Sequence, residues 1–137
     1  MKKEYFSPDS LFPSRQFGFS QAVTTEGGKF VHCAGQTAWD KNMNLVGEGD
    51  LSKQLEQSLE NVRLALSAGG AKPEDVVRVK IYVVDYKPEY VEPIGKAMAV
   101  FFKDSPPAST LIGVQSLAVP GFMVEIEVTA VVSENQR

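Results

Sequence analysis

The residues able to do chemistry are few and far apart. His32 is the only histidine and Cys33 the only cysteine, and they are neighbours. Adjacent residues on a strand point to opposite faces, so these two cannot close on one metal ion. No second histidine or cysteine exists to complete a ligand set, and no metal site is expected. Cys33 reads either as a small core hydrophobe or as a residue lining a site. A serine nucleophile needs a base and an orienting acid. No serine sits in a G-x-S-x-G elbow, so Ser109, within "SPPASTLIG", reads as turn chemistry at a strand entrance. Glu125 and Glu127 stand two apart in "VEIEV" and share one strand face. They either face a cavity or interface, or pair with Arg78 or Lys80. "GEGD" and "SAGGA" match neither the P-loop nor the dinucleotide fingerprint.

Hydrophobic spacing outlines the scaffold. Leu51, Leu55, Leu59, Val62 and Leu66 form one apolar stripe at helical spacing. Asp50 is placed to cap this helix and Gly69-Gly70 to end it. A second helix is predicted over "PEYVEPIGKAMAVFFK", with Pro93 tolerable only near its first turn and Met98, Phe101 and Phe102 on its buried side. Strands over about 19–25 and 30–34, joined by Glu26-Gly27-Gly28-Lys29, read as a hairpin. "VVRVKIYVVD" places Val77, Val79, Ile81 and Val83 on one face, with Arg78, Lys80 and Tyr82 on the other. "STLIGVQSL" is a further strand. In the last one, "FMVEIEVTAVV", the residues Phe122, Val124, Ile126, Val128 and Ala130 share a face. The order β-β-α-β-α-β-β predicts an α+β domain, a mixed sheet with helices on one side. The opposite face of the last strand mixes Met123, Glu125, Glu127, Thr129 and Val131, with Tyr82 beside them. That face is too apolar for plain solvent surface yet carries carboxylates, and a subunit interface accounts for both.

A chain of 137 residues, 43% hydrophobic and 23% charged, is the size and composition of one folded domain. Residues 1–16 are expected to be an irregular N-terminal arm, because Pro8 and Pro13 block regular structure, and 17–137 a single domain. The net charge of -3 and the lack of a basic block argue against a nucleic-acid partner. The lysines of "MKKEYFSPDSLFPS" precede no apolar run, so no secretory signal is expected, and no run is long enough to span a membrane. One cysteine fits a reducing, cytoplasmic setting.

Five stretches in order resemble the Rid (YjgF) family, the reactive-intermediate imine deaminases, also known as endoribonuclease L-PSP proteins. They are "FSQAV", "VHCAGQTAWD", "QLEQSLENVRLALSAGGA", "DVVRVKIYVVD" and "PPASTLIGV…L…VEIEVTAV". The resemblance implies a chorismate-mutase-like fold, a homotrimer with its sheets round the threefold axis, and inter-subunit clefts that each hold a small metabolite. In active members these clefts hydrolyse 2-aminoacrylate-type enamines and imines, with no metal or organic cofactor. The deaminases carry an arginine after Pro-Ala that binds the substrate carboxylate through two hydrogen bonds. Here Pro107-Ala108 is followed by Ser109, which has neither the charge nor the fork. Ala34 replaces a site serine before Gly35-Gln36, and Phe19 replaces a tyrosine before "SQAV". The Gly35 N–H stays available to a ligand, and Glu125 corresponds to the glutamate that orients a water. The cleft is thus expected to be lined by Phe19, Cys33, Ala34, Gly35, Ser109 and Leu111, with Glu125 as the catalytic group. Losing the arginine is expected to cost about 2–5 kcal/mol of carboxylate binding. The resemblance implies a small-metabolite protein without the standard 2-aminoacrylate activity. Imine or enamine hydrolysis on another substrate is an alternative, and some relatives are described as endoribonucleases or translation inhibitors.

Overall fold

The computed structural model describes residues 1–134. Its longest helix, α1 (Leu51–Ala68), forms where the leucine stripe predicts it. The Asp50 carboxylate accepts the Lys53 N–H at 3.1 Å, satisfying one of the donors orphaned at a helix start. At the other end the Gly69 N–H reaches Leu66 O at 2.9 Å, and Gly70 turns the chain away at φ +84°. Leu55, Leu59, Val62 and Leu66 are buried. The second helix, α2 (Val91–Phe102), carries Pro93 in its first turn and buries Ile94, Met98 and Phe102, while Phe101 is half-buried.

Among the described residues six strands accompany the helices: β1 (Lys2–Phe6), β2 (Ala22–Glu26), β3 (Lys29–His32), β4 (Val76–Val84), β5 (Ala108–Val114) and β6 (Val124–Val132). Four of them form a mixed sheet in the order β3-β6-β4-β5. The parallel β4–β5 pair is joined by the α2 crossover. The final strand slots between β3 and β4, antiparallel to both. Alternation then decides the layers. Val79, Ile81, Val83, Val124, Ile126 and Val128 are buried with both helices in one core, each contributing about 1.5–3 kcal/mol relative to exposure. Met123, Glu125, Glu127 and Thr129 take the opposite face and are half-buried.

Three sequence expectations are corrected. The arm over 1–16 is not irregular throughout, because β1 pairs antiparallel with β2, from Lys2↔Glu26 to Phe6↔Ala22. The edge of β2 is open to it, and Lys3 anchors it by donating to the Asp75 carbonyl at 3.1 Å. The element order therefore gains a leading strand. Next, β2 and β3 do not form a hairpin: β2 pairs with β1 and β3 with β6. Gly27 and Gly28, at φ +68° and +94°, carry the chain from one sheet to the other. Space forces glycine there too, since a Cβ on Gly28 would lie 2.7 Å from Val131 Cγ1. Last, a register shift between Val76 and Arg78 puts Val76, not Val77, into the core. The domain expected over 17–137 ends in residues 135–137, which lie outside the described residues. Among the described residues no helix is long and apolar enough to cross a membrane.

Candidate functional site

The Glu125 side of the molecule starts from an irregularity in pairing. His32 lies opposite Thr129 and Gln36 opposite Ile126. The segment from His32 to Gln36 thus carries one more residue between those pairs than the segment from Ile126 to Thr129, a bulge at Cys33-Ala34-Gly35. Backbone bonds pin its two ends: Cys33 N–H to Val128 O at 3.1 Å, and Gln36 N–H to Ile126 O at 2.8 Å. Between them, the Ala34 and Gly35 N–H groups have no backbone partner among the described residues. Gly35 lies directly against Glu125, and a Cβ there would meet Glu125 Oε2 at 2.0 Å. Only glycine lets this carboxylate approach the bulge.

Side-chain amides hold the surrounding loops. Asn61 Nδ2 donates to Thr37 O at 2.9 Å and Trp39 O at 2.7 Å. Gln57 Nε2 donates to Asn61 Oδ1 at 3.0 Å. Gln54, fully buried, donates to Gly47 O and Gly121 O at 3.1 and 2.9 Å, and its Oε1 accepts the Met123 N–H at 2.8 Å. The turn leading into β6 is thereby tied to α1. These three amides were not singled out from sequence, although Gln54 interrupts an otherwise apolar stripe. Trp39 meets Phe122 edge to face at 5.1 Å. The result is an open concavity of about 920 Å³ whose walls include Gly35, Gln36, Trp39, Asn61, Phe122 and Glu125.

Glu127 accepts a hydrogen bond from the Tyr82 hydroxyl at 3.2 Å. Burial first, then that bond and the nearby Glu127 and Glu125 charges, raise the Tyr82 pKa above its ordinary value, with Arg78 opposing. Among the described residues neither glutamate forms an ion pair with Arg78 or Lys80. Cys33 is half-buried against the core, and burial pushes its thiol pKa up, away from the nucleophilic thiolate. His32 is exposed, with Nδ1 3.3 Å from Thr129 Oγ1.

The Ser109 side has a different construction. Ser109 pairs with Val79 in register, so it shares the helix-side face of the sheet. The segment before β1's partner strand is stapled to the start of β5: Ser20 Oγ donates to Pro106 O at 2.6 Å and Ser20 N–H to Pro107 O at 2.9 Å. Gly18, at φ +84°, backs onto α2 so closely that a Cβ would lie 3.1 Å from Gly95 O. Phe12 packs edge to face on Phe17 at 6.3 Å and on Phe19 at 6.0 Å. A cavity of about 210 Å³ lies between these rings, α2 and the β4–β5 pair, and among the described residues no charged side chain lines it.

The expected site residues therefore fall into two groups on one chain. Phe19, Ser109 and Leu111 line the smaller cavity, and Gly35 and Glu125 the larger concavity. Cys33 and Ala34 sit on the bulge beside Gly35 and line neither. The two hollows share no lining residue.

The sequence profile of the endoribonuclease L-PSP family matches residues 12–132. This chain belongs to the Rid (YjgF) family. A RutC family protein from Pyrococcus horikoshii is 31% identical over 130 residues, spanning 95% of this Rid chain and 98% of that protein. A protein named 2-iminobutanoate/2-iminopropanoate deaminase from Dermatophagoides farinae is 31% identical over 114 residues, 83% of this chain and 85% of its own. A solved structure from Yersinia pestis, a Rid-family protein of unknown function, matches with a TM-score of 0.91 at 41% identity, covering 96% of this chain and 100% of that one. The mixed sheet with two helices on one face is thus the fold of the solved Rid structures.

Proposed function

We propose that this Rid-family protein binds or converts a small metabolite in clefts between the subunits of a homotrimer, and that 2-aminoacrylate is not its substrate. The uncharged wall round Ser109 carries this reading. Where the family's deaminase pattern has a carboxylate-binding arginine, this chain has a serine, and among the described residues none that lines that cavity is charged. The trimer draws support from the division of the site. A second copy can bring its Glu125 wall to face the Ser109 wall of the first, as a closed symmetric assembly allows. In that arrangement the Gly35 N–H donates to the ligand and Glu125 positions a water or polar group. The single thiol fits a cytoplasmic location.

The test is ammonia release from freshly generated 2-aminoacrylate, run beside light scattering. We expect a trimer mass and no release above buffer. Release by the purified protein overturns the substrate claim, and a monomer mass removes the inter-subunit cleft. The intact Gly35–Glu125 contact favours a second reading, enamine or imine hydrolysis on another substrate. Amino-muconate-type enamines test it by the same readout. An endoribonuclease role has only the family's name behind it, and the net charge of -3 opposes it.

A further inference from the structure

We infer that the cavity beside Ser109 is an apolar subsite, taking an uncharged ring or branched hydrocarbon portion of the ligand in place of a carboxylate. The inference rests on the function proposed above and names the chemistry its ligand must present. Size is the first argument. Apolar cavities of about 150 Å³ accept benzene, so the 210 Å³ here suits one ring with a short substituent. Charge is the second. Val79 and Ile81 form the floor, Ile94 and Met98 one wall, and aromatic rings the other. A carboxylate entering this space would lose its water and gain no cation, a transfer that is strongly unfavourable. Ser109 supplies the one side-chain hydroxyl among the lining residues, and that hydroxyl makes no hydrogen bond among the described residues. It is placed to orient a neutral polar substituent.

The mouth and the frame agree with this. Phe12, Phe17 and Leu111 at the rim are 55%, 39% and 38% exposed, large apolar side chains left facing water round one opening. The walls are also fixed before any ligand arrives. Ser20 is bonded to Pro106 and Pro107, Gly18 is pressed onto α2, and Phe12 bridges the two other rings. Preformed concavity with few polar groups is the usual build of a small-molecule site.

Fluorine NMR titrations with para-fluorobenzyl alcohol and para-fluorobenzoate test the inference, with the methyl signals of Ile94 and Met98 reporting the place of binding. We expect saturable binding of the alcohol, roughly tenfold or more tighter than the benzoate, with both methyl groups shifting. Ser109→Leu fills the cavity and should weaken the alcohol by roughly tenfold. Leu111→Glu, at the exposed rim, should do the same without disturbing the core and stands in if the first variant does not fold. No saturable binding of the alcohol, benzoate binding as tightly, or unchanged affinity in the folded variants overturns the subsite. The lining residues named here all belong to one chain, so saturable binding of the alcohol is expected in a monomer as well as in a trimer. A monomer mass or ammonia release would sink the proposed function and leave this result standing, and the reverse also holds.

Discussion

The cavity beside Ser109 is walled by aromatic rings packed edge to face, whereas the concavity beside Glu125 is held open by side-chain amides bonded to backbone carbonyls. Both hang from the same four-stranded sheet. The first is fixed by burial and shape, which are non-directional and spread over many contacts. The second depends on a few directional bonds, each of which leaves a stranded partner if removed. One protomer thus offers an apolar wall that excludes charge and a polar wall that positions it. A ligand with an apolar part and a hydrolysable or hydrogen-bonding part is what the two walls together would select.

The largest expected effect falls on the amide side. Gln54→Ala leaves Gly121 O and the Met123 N–H without a partner among the described residues and takes one of two donors from Gly47 O, which keeps the Asp50 N–H. Gly121 is exposed and Met123 half-buried, so the lost bonds cost about 1 kcal/mol each, and with the lost packing of the buried Gln54 side chain a loss on the order of 2–3 kcal/mol is expected in urea unfolding. Trp39, the only tryptophan, lies in this half and supplies a local probe. Its emission should shift in the folded Gln54→Ala protein. On the apolar side, Phe19→Ala removes a half-buried ring and its contact with Phe12. About 1–2 kcal/mol should be lost, with Trp39 emission unchanged. If Phe19→Ala also moved the tryptophan signal, the two halves would not be independent and the comparison would break.

Local pattern made much of this architecture legible. The stripe from Leu51 to Leu66 gave α1 and its caps because a helix face is set by residues three and four apart. The alternation from Val124 to Val128 gave both faces of β6, and with them the position of Glu125. Pairing partners were not legible in the same way. Gly27-Gly28 is a sound local hairpin signal, yet Val31 packs against the core from β3's place beside β6, and that burial wins over the nearby pairing. "KKEYF" has no apolar period of its own, so β1 became a strand only through the open edge of β2. Gln54 was visible as a polar residue in an apolar stripe, but one of its acceptors is 67 residues away. The division of the site residues between two hollows was equally hidden, since Ser109 and Glu125 are close in sequence and differ in which face of the sheet they take.

Gly35→Ala separates site from fold. The added Cβ collides with the free end of the Glu125 side chain, which can swing aside. Stability should fall by less than about 1 kcal/mol, while the carboxylate leaves its seat. In calorimetric titrations with a ligand of the Glu125 half, affinity should drop by roughly tenfold or more. An unchanged affinity would show that the Gly35–Glu125 contact has no part in binding.

The smallest effect is a pH response confined to one side. Tyr82 lies opposite Glu125 in the β4–β6 register and donates to Glu127, and its phenol pKa is raised, chiefly by burial. The unfolded phenol loses its proton near an ordinary value of about 10, before the folded one does. Tyr82 therefore adds stability that is fully present below that value and is lost as pH rises through the higher folded-state pKa. Alkaline unfolding series should show wild type losing stability more steeply than Tyr82→Phe above pH of about 10. The residues lining the Ser109 cavity carry no group that titrates. Binding of para-fluorobenzyl alcohol there should stay flat over the same range for as long as the protein remains folded. A matching pH response at the Ser109 cavity would mean that charge on a Glu125 face, through the sheet or from a facing copy across the cleft, reaches the apolar wall, and the contrast between the two walls would break.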